Sequence, residues 1–501
     1  VGIGSAGNGL GAIIISADEF NPTANIYGQS TLTIKPGTSG NTVLIGGASN
    51  TNSDTVLDIT ATELGYFVNG FTGITFGSNT TGEITLSTAQ TFLDPITFTT
   101  NGANTKLGAN LTGADDASLT FTTPVKLTIA NQVITTNNRA INFSSTVNGT
   151  TTGIENLTLY PGSADINFVN AVGNNVPIGA LLVDGTGIYT FSGPMNAASI
   201  TVNSGGTTVI NTTSLTTSST QTYHNPVRLS SNTTLATTNS DITFNSTVNS
   251  YDGTARSLTI NTGASGLGTV SFNGAVGGNY VLGTTSITAA SVVTGSGGTI
   301  TMGSNNLTFT TDAIDIGAAI TGTGTLTIEP RTASTTMGIA GASGTLDLST
   351  TELNRIQDGF AMINLGSLTG TGKLTVGAYT FNDHVSLRNA GASSSGIQLT
   401  GAVSVGANNL TFNTTGNVTQ NSGASVTAAG LQLLGALGNY TLTDTANAIT
   451  TLAGNTGTVS FLENSGFAIG TVGTAISSVG MTSSGNLTLS STGTVTQSNL
   501  I

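Results

Sequence analysis

Short runs in which apolar and polar residues alternate recur along the whole chain. Leu157-Thr-Leu159, Ile166-Asn-Phe168, Ile200-Thr-Val202, Ile242-Thr-Phe244, Leu258-Thr-Ile260, Val270-Ser-Phe272, Leu307-Thr-Phe309 and Leu374-Thr-Val376 are examples. Each sets two apolar side chains on one face of an extended backbone and a hydroxyl or amide on the other, the period of a half-buried strand. Clusters of Gly, Asn, Ser and Thr separate the runs and suit turns that need positive φ or a side-chain bond to the backbone. The pattern predicts an all-β chain.

The runs belong to longer internal repeats. Leu32-Thr-Ile-Lys-Pro36 returns as Leu326-Thr-Ile-Glu-Pro330, Thr62-Glu-Leu64 as Thr351-Glu-Leu353, Asn69-Gly-Phe71 as Asp358-Gly-Phe360, and Thr91-Phe-Leu-Asp94 as Thr380-Phe-Asn-Asp383. These define copies at 31–98 and 325–387. A second pair, 140–172 and 241–276, is carried by Ile141-Asn-Phe-Ser-Ser-Thr-Val-Asn148 and Ile242-Thr-Phe-Asn-Ser-Thr-Val-Asn249. A third, 407–420 and 484–497, is carried by Asn409-Leu-Thr-Phe412 and Asn486-Leu-Thr-Leu489, each followed by Gly-x-Val-Thr-Gln. The offsets within the three pairs differ, which argues against a propeller of equal blades, and the length argues against a sandwich. A parallel β-helix tolerates unequal spacing, because insertions at a corner leave the stacked strands undisturbed. The expected architecture is therefore one continuous β-solenoid over 1–501. At roughly 20 to 25 residues per rung and about 4.8 Å per stacked strand, it predicts a rod on the order of 100 Å.

One departure from β structure is expected. Thr60-Ala-Thr-Glu63 and Ser349-Thr-Thr-Glu352 have the capping-box pattern and are followed by apolar pairs, Leu64 with Phe67 and Leu353 with Ile356. One or two helical turns are predicted at 61–69 and 350–358, with Gly70 and Gly359 as stops.

Composition narrows the function. Only 7% of the 501 residues are charged and 5% aromatic, whereas hydrophobic residues reach 37%. That is too apolar for a disordered tract and far below the roughly 25% charge of an ordinary globular domain. With no Cys, no disulfide or thiolate metal site can form, so stability is expected from backbone ladders and stacked aliphatic side chains. Ten Lys and Arg against 23 Asp and Glu give a net charge of −13 with no basic cluster to neutralise phosphates, which excludes nucleic acid as the expected partner. No apolar run approaches the ~20 residues of a membrane span, and the start carries neither Met nor a secretion-signal pattern, so a mature or excised piece of a longer protein is expected.

Few constellations could carry chemistry. Asp18-Glu19, Asp115-Asp116 and Asp312 with Asp315 are carboxylate pairs that acid–base catalysis or Ca²⁺ would use. Neither EF-hand spacing nor the Gly-Gly-x-Gly-x-Asp repeat accompanies them, and they read as turn residues. The two histidines fall in variants of one motif, Thr91-Phe-Leu-Asp-Pro-Ile96, Thr222-Tyr-His-Asn-Pro-Val227 and Thr380-Phe-Asn-Asp-His-Val385. There His224 stands where Leu93 does and His384 where Pro95 does. A catalytic or metal-binding imidazole is not exchangeable with Leu or Pro, so the motif reads as a strand entering a turn. No P-loop, no His-Glu-x-x-His and no nucleophile elbow with plausible partners occurs. The Asn-Leu-Thr sequons at Asn110, Asn156, Asn306, Asn409 and Asn486 read as strand openers, and Thr-x-Thr rows drift too much to bind ice. No catalytic residue, metal ligand or cofactor is assigned. An enzymatic alternative, a β-helical polysaccharide-degrading enzyme, needs a convergent cluster such as Asp347, Glu352 and Arg355.

The segments Asn409–Gln420, Val426-Thr-Ala-Ala-Gly-Leu-Gln-Leu433, Tyr440–Ile449 and Leu452-Ala-Gly-Asn-Thr-Gly457 resemble the repeat region of large bacterial exoproteins similar to filamentous haemagglutinin. The resemblance implies a right-handed β-helical stalk, exported by a dedicated transporter and used in adhesion, biofilm or filament formation. No secretion domain or C-terminal effector module accompanies it here. The expected function is a non-enzymatic extracellular stalk or adhesive fibre on a bacterial surface. Its expected partners are neighbouring copies or flanking repeats stacked end to end, which as a variant would build a filament or sheath, and weakly bound glycans.

Overall fold

The computed structural model describes residues 3–5, 10–48, 53–203, 205–263, 267–391, 395–473 and 477–499. The chain is a right-handed parallel β-solenoid that divides into two compact units, Val1–Asp252 and Gly253–Ile501.

In the first unit the backbone visits three parallel ladders in turn. One rung runs through Ile96–Thr99, Thr105–Leu107 and Leu111–Gly113 before the chain returns to the first ladder at Leu119–Phe121. Along that ladder Ile96 pairs with Leu119, Leu119 with Ile141, Ile141 with Ile166 and Ile166 with Tyr189, a rung every 22 to 25 residues, within the expected range. The alternation of apolar and polar residues becomes alternation of inside and outside, since Leu119 and Phe121 are fully buried and Thr120 between them is not. The inner rows are not aliphatic alone. Phe76, Phe98, Phe121, Phe143, Phe168 and Phe191 form a column with successive ring centroids 5.9, 5.1, 5.1, 4.9 and 5.8 Å apart. In-register stacking puts like residues above one another, and rings held by the backbone repeat meet at a spacing that favours them.

The sequons act between rungs as well as opening strands. Asn110 Oδ1 accepts from the Val133 N–H at 2.9 Å, Asn156 Oδ1 from Ala180 at 2.7 Å and Asn306 Oδ1 from Thr325 at 2.9 Å. Each side-chain carbonyl replaces a ladder partner where the corner interrupts the ladder.

Near the start of the second unit the strands Leu258–Asn261 and Thr269–Phe272 both pair with the ten-residue strand Thr285–Thr294, which in turn pairs along its length with Leu307–Ile316. The unit continues through a ladder of Thr325–Glu329, Met362–Ser367, Val385–Asn389, Asn409–Thr414 and Val426–Gly435. A second ladder runs from Met337–Ile339 to Leu487–Ser491. Thr471–Gly473 and Ser477–Val479 pair antiparallel, unlike the other strand pairs among the described residues.

Both helical turns form where expected but are shorter, Ala61–Leu64 (α1) and Thr350–Leu353 (α2). The glycine stops are corrected: α1 ends at Gly65 and α2 at Asn354, both in right-handed geometry. Gly70 (φ 138°) and Gly359 (φ 129°) serve another purpose. No helix among the described residues is long and apolar enough to cross a membrane.

Candidate functional site

The most elaborate feature of the surface is a module that occurs once in each unit. In the first, strand Thr31–Lys35 is followed by Thr42–Ile45, Val56–Ile59, α1 and Gly73–Gly77; in the second, Thr325–Glu329 is followed by Met337–Ile339, Leu346–Leu348, α2 and Met362–Ser367. Pairings coincide: Leu32 with Ile74 and Leu326 with Ile363, Val43 with Leu57 and Met337 with Leu346.

Three polar devices hold each copy. The capping box closes in both, with Glu63 Oε2 accepting from the Thr60 N–H and Glu352 Oε2 from the Ser349 N–H, each at 2.8 Å. Asp94 Oδ1 accepts from the Gly70 N–H at 2.8 Å, and Asp383 Oδ1 from the Gly359 N–H at 2.9 Å. The positive φ of the two glycines turns these amides toward the carboxylates. Upstream, Asp18 takes both the N–H (2.8 Å) and the Oγ1 hydroxyl (2.6 Å) of Thr38, and Asp312 takes the N–H (2.8 Å) and hydroxyl (2.5 Å) of Thr332. The duplicated module therefore reaches back to Asp18 and Asp312, ahead of the copies the sequence delimits.

The carboxylates differ in electrostatic state. Burial pushes Asp94 and Asp383 above the usual carboxylate range, helped by Asp116 and Asp115 at the first and Asp358 at the second, against the pull of the Gly70 and Phe71 amides and of the Gly359 and Phe360 amides. The hydroxyl and N–H of Thr38 hold Asp18 below that range. At Asp312 burial pushes upward, and the paired bonds from Thr332 outweigh it, so the carboxyl sits below its ordinary value.

Beside each helical turn lies a groove. In the first copy Leu64, Phe67, Gln90, Phe92 and Asp94 line about 220 Å³. In the second, Leu353, Ile356, Tyr379, Phe381 and Asp383 line only about 20 Å³. Tyr379 stands where Gln90 does. Its ring packs edge-on against Phe381 at 4.7 Å and its hydroxyl donates to Asn354 Oδ1 at 3.0 Å, whereas Gln90 folds back to donate to Thr88 Oγ1 at 2.7 Å.

The other residues singled out by sequence are placed as follows. Asp115 adopts a left-handed turn (φ 51°) and accepts from Asn69 Nδ2 at 2.6 Å. Asp347 is largely exposed, and partial desolvation together with the nearby Glu352 charge holds its carboxyl above the usual range. Glu352 Oε1 accepts from the Ile316 N–H at 3.2 Å, and Arg355 Nη1 donates to the Ile316 carbonyl. Both side chains thus tie α2 to the preceding rung. His224 is exposed, with Nδ1 2.9 Å from Asn245 Nδ2. His384 accepts the Asn409 N–H on Nδ1 at 2.8 Å, which leaves its proton on Nε2, and burial lowers its pKa. The two imidazoles lie in different turns of the solenoid, each bonded to the following rung. Among the described residues no group of three or more His, Asp and Glu could hold a metal ion.

No protein-family model, no curated protein sequence and no solved structure matches the chain. The functional reading rests on the geometry.

Proposed function

We propose that this protein is a non-enzymatic structural and adhesive segment, a stiff stalk displayed outside a bacterial cell in the manner of the repeat regions of filamentous haemagglutinin-like exoproteins. One observation carries the reading: in and around the duplicated module, the side chains best able to do chemistry are spent on backbone. Glu63, Asp94, Asp312, Glu352, Arg355, Asp383 and His384 each bond a main-chain N–H or C=O of their own or a neighbouring rung. A site built for turnover keeps such groups free to meet substrate; a scaffold uses them to satisfy corners. The fold fits the same use, because units that contact only their neighbours lengthen without a change of design.

The test is small-angle scattering and negative-stain imaging of the purified chain. A particle on the order of 100 Å long, as rungs stacked at about 4.8 Å require, supports a stalk, and a compact globule overturns it. The enzymatic alternative is tested with a panel of polysaccharides, and turnover abolished by Glu352→Gln establishes it in place of the stalk.

Stacking on flanking repeats or on another copy is a second reading, favoured by the in-register pairing of like residues, Ile141 on Ile166 and Phe143 on Phe168, which a further repeat of like sequence would continue. Concentration-dependent filaments under the electron microscope support this, and monomers at every concentration exclude self-stacking.

A further inference from the structure

On the outward face of the second unit, strand register builds two polar rows. Thr327, Asn364, Ser386, Thr411 and Gln432 succeed one another in the first, and Gly366, Arg388, Asn413 and Leu434 in the second. Outward residues of a solenoid are expected to be wet. Here Asn364 is 4% exposed, Ser386 5%, Thr411 6% and Gln432 2%. The antiparallel strands Thr471–Gly473 and Ser477–Val479 shield part of the face, taking Gln432 Nε2 onto the Val472 carbonyl at 3.2 Å and the Ser478 hydroxyl at 2.9 Å. What remains is a groove of about 100 Å³ whose lining includes Met362, Asn364, Leu368, Ser386, Arg388 and Leu434.

Two unmet demands meet in this groove. Asn364 Nδ2 donates to Thr327 Oγ1 at 3.1 Å, while its Oδ1 is buried and accepts from no group among the described residues. A buried amide oxygen without a donor has given up its water for nothing and destabilises the site until a donor reaches it. Arg388 uses Nε on the Ser386 hydroxyl at 3.4 Å, and its two Nη groups make no hydrogen bond or ion pair within the described residues. Its guanidinium is pushed down by burial, and Glu329, which only partly offsets this, lies beyond ion-pair distance and accepts from the Thr310 hydroxyl at 3.0 Å. A half-buried guanidinium with both Nη groups unused matches a carboxylate, which takes two parallel N–H bonds. The orphan oxygen asks for a hydroxyl. Leu368 and Leu434 add apolar surface of the kind that packs on the C–H face of a ring.

We propose that this groove binds a carboxylated sugar, its carboxylate on Arg388 and a ring hydroxyl on Asn364 Oδ1. The proposal supplies the adhesive part of the function above with a ligand class, and rests on it only there, because binding is measured on the isolated chain whatever its length or assembly.

The experiment is calorimetric titration of the full chain with D-glucuronate, D-glucose, acetate and phosphate at low salt. Glucuronate is expected to bind at least ~10-fold more tightly than the other three. Arg388→Ala is expected to abolish the heat, and Arg388→Lys to weaken binding ~10-fold through loss of the paired geometry, one such factor being about 1.4 kcal/mol. Asn364→Leu is expected to weaken glucuronate binding without lowering the melting temperature, since it removes the orphan oxygen. If Arg388→Ala fails to fold, hydrogen exchange on the wild-type chain decides: glucuronate must slow exchange in 385–389 and 409–414 relative to glucose. No glucuronate binding, equal binding of acetate or phosphate, or binding unchanged in Arg388→Lys overturns the proposal.

Discussion

The module beginning at Asp18 and the one beginning at Asp312 keep the same hydrogen bonds and fill the adjoining corner differently. Capping box, aspartate-to-glycine bond and threonine clamp are reproduced within a few tenths of an ångström. The groove is about 220 Å³ in the first and about 20 Å³ in the second, where Tyr379 stands in place of Gln90 and Ile356 in place of Phe67. The backbone of the corner is thus held by polar bonds that repeat, and the space beside it is free to vary.

If that reading is right, the largest effect comes from breaking a repeated bond. Asp94→Ala and Asp383→Ala each leave a glycine N–H without its acceptor, and both are expected to destabilise their corner by about 1 to 3 kcal/mol. Hydrogen exchange at 61–73 and 350–362 reads the two copies separately. Equal losses sharpen the comparison, and a loss in one copy alone breaks it. Removing the cap with Glu63→Ala or Glu352→Ala is expected to cost about 1 kcal/mol by the same readout, with the larger loss at Glu352, which also serves the Ile316 amide. Exchange of the fillers comes next. Tyr379→Gln is expected to loosen the second corner by less than the cap variants, since it forfeits one ring contact and one exposed hydrogen bond, and Gln90→Tyr is expected to leave the first corner unchanged or slightly tighter.

The smallest effect is a pH dependence with two opposite signs. Asp94 and Asp383 have folded-state pKa values raised above the unfolded value. Their charged form is disfavoured by folding, and acidification through the raised pKa toward the unfolded value relieves that penalty. Asp312 is lowered, so its stabilisation is complete above the unfolded value and is lost as pH falls through the folded one. Local exchange between about pH 3 and 6 is therefore expected to show 70 and 359 tightening relative to 332 as pH falls. Asp94→Asn keeps an acceptor, as Asn225 does in the related turn where it takes the Thr208 hydroxyl at 2.9 Å, and is expected to abolish the pH response at 70.

The fold was legible because the period of two is imposed by burial on one face, and runs such as Ile166-Asn-Phe168 state it within three residues. The capping boxes were legible for the same reason, as Thr60 and Glu63 are near neighbours in the chain. What escaped notice depends on register between distant rungs. The Asp18–Thr38 and Asp312–Thr332 clamps span 20 residues in a chain rich in Thr, where no local pattern marks the partner. The phenylalanine column depends on Phe98, Phe121, Phe143 and Phe168 occupying one row, and the groove at Arg388 is not legible locally because, Ser386 apart, its lining comes from distant segments such as Met362, Asn364 and Leu434. Gly70 and Gly359 follow the helical turns closely enough to look like their stops, yet each serves a carboxylate 24 residues away, a partner that no local pattern names.

The rung-by-rung fastening has a mechanical consequence. Ladder hydrogen bonds and asparagine clamps join each rung only to its neighbours, so tension applied at the chain ends loads one rung's fastenings at a time and does not shear all of them together. Under an optical trap the protein should yield in a series of small steps, each releasing one rung, from 19 residues between Leu307 and Leu326 to 42 between Leu32 and Ile74, or roughly 60 to 150 Å of chain. A tether that gives way by such increments absorbs a pull without losing its remaining turns.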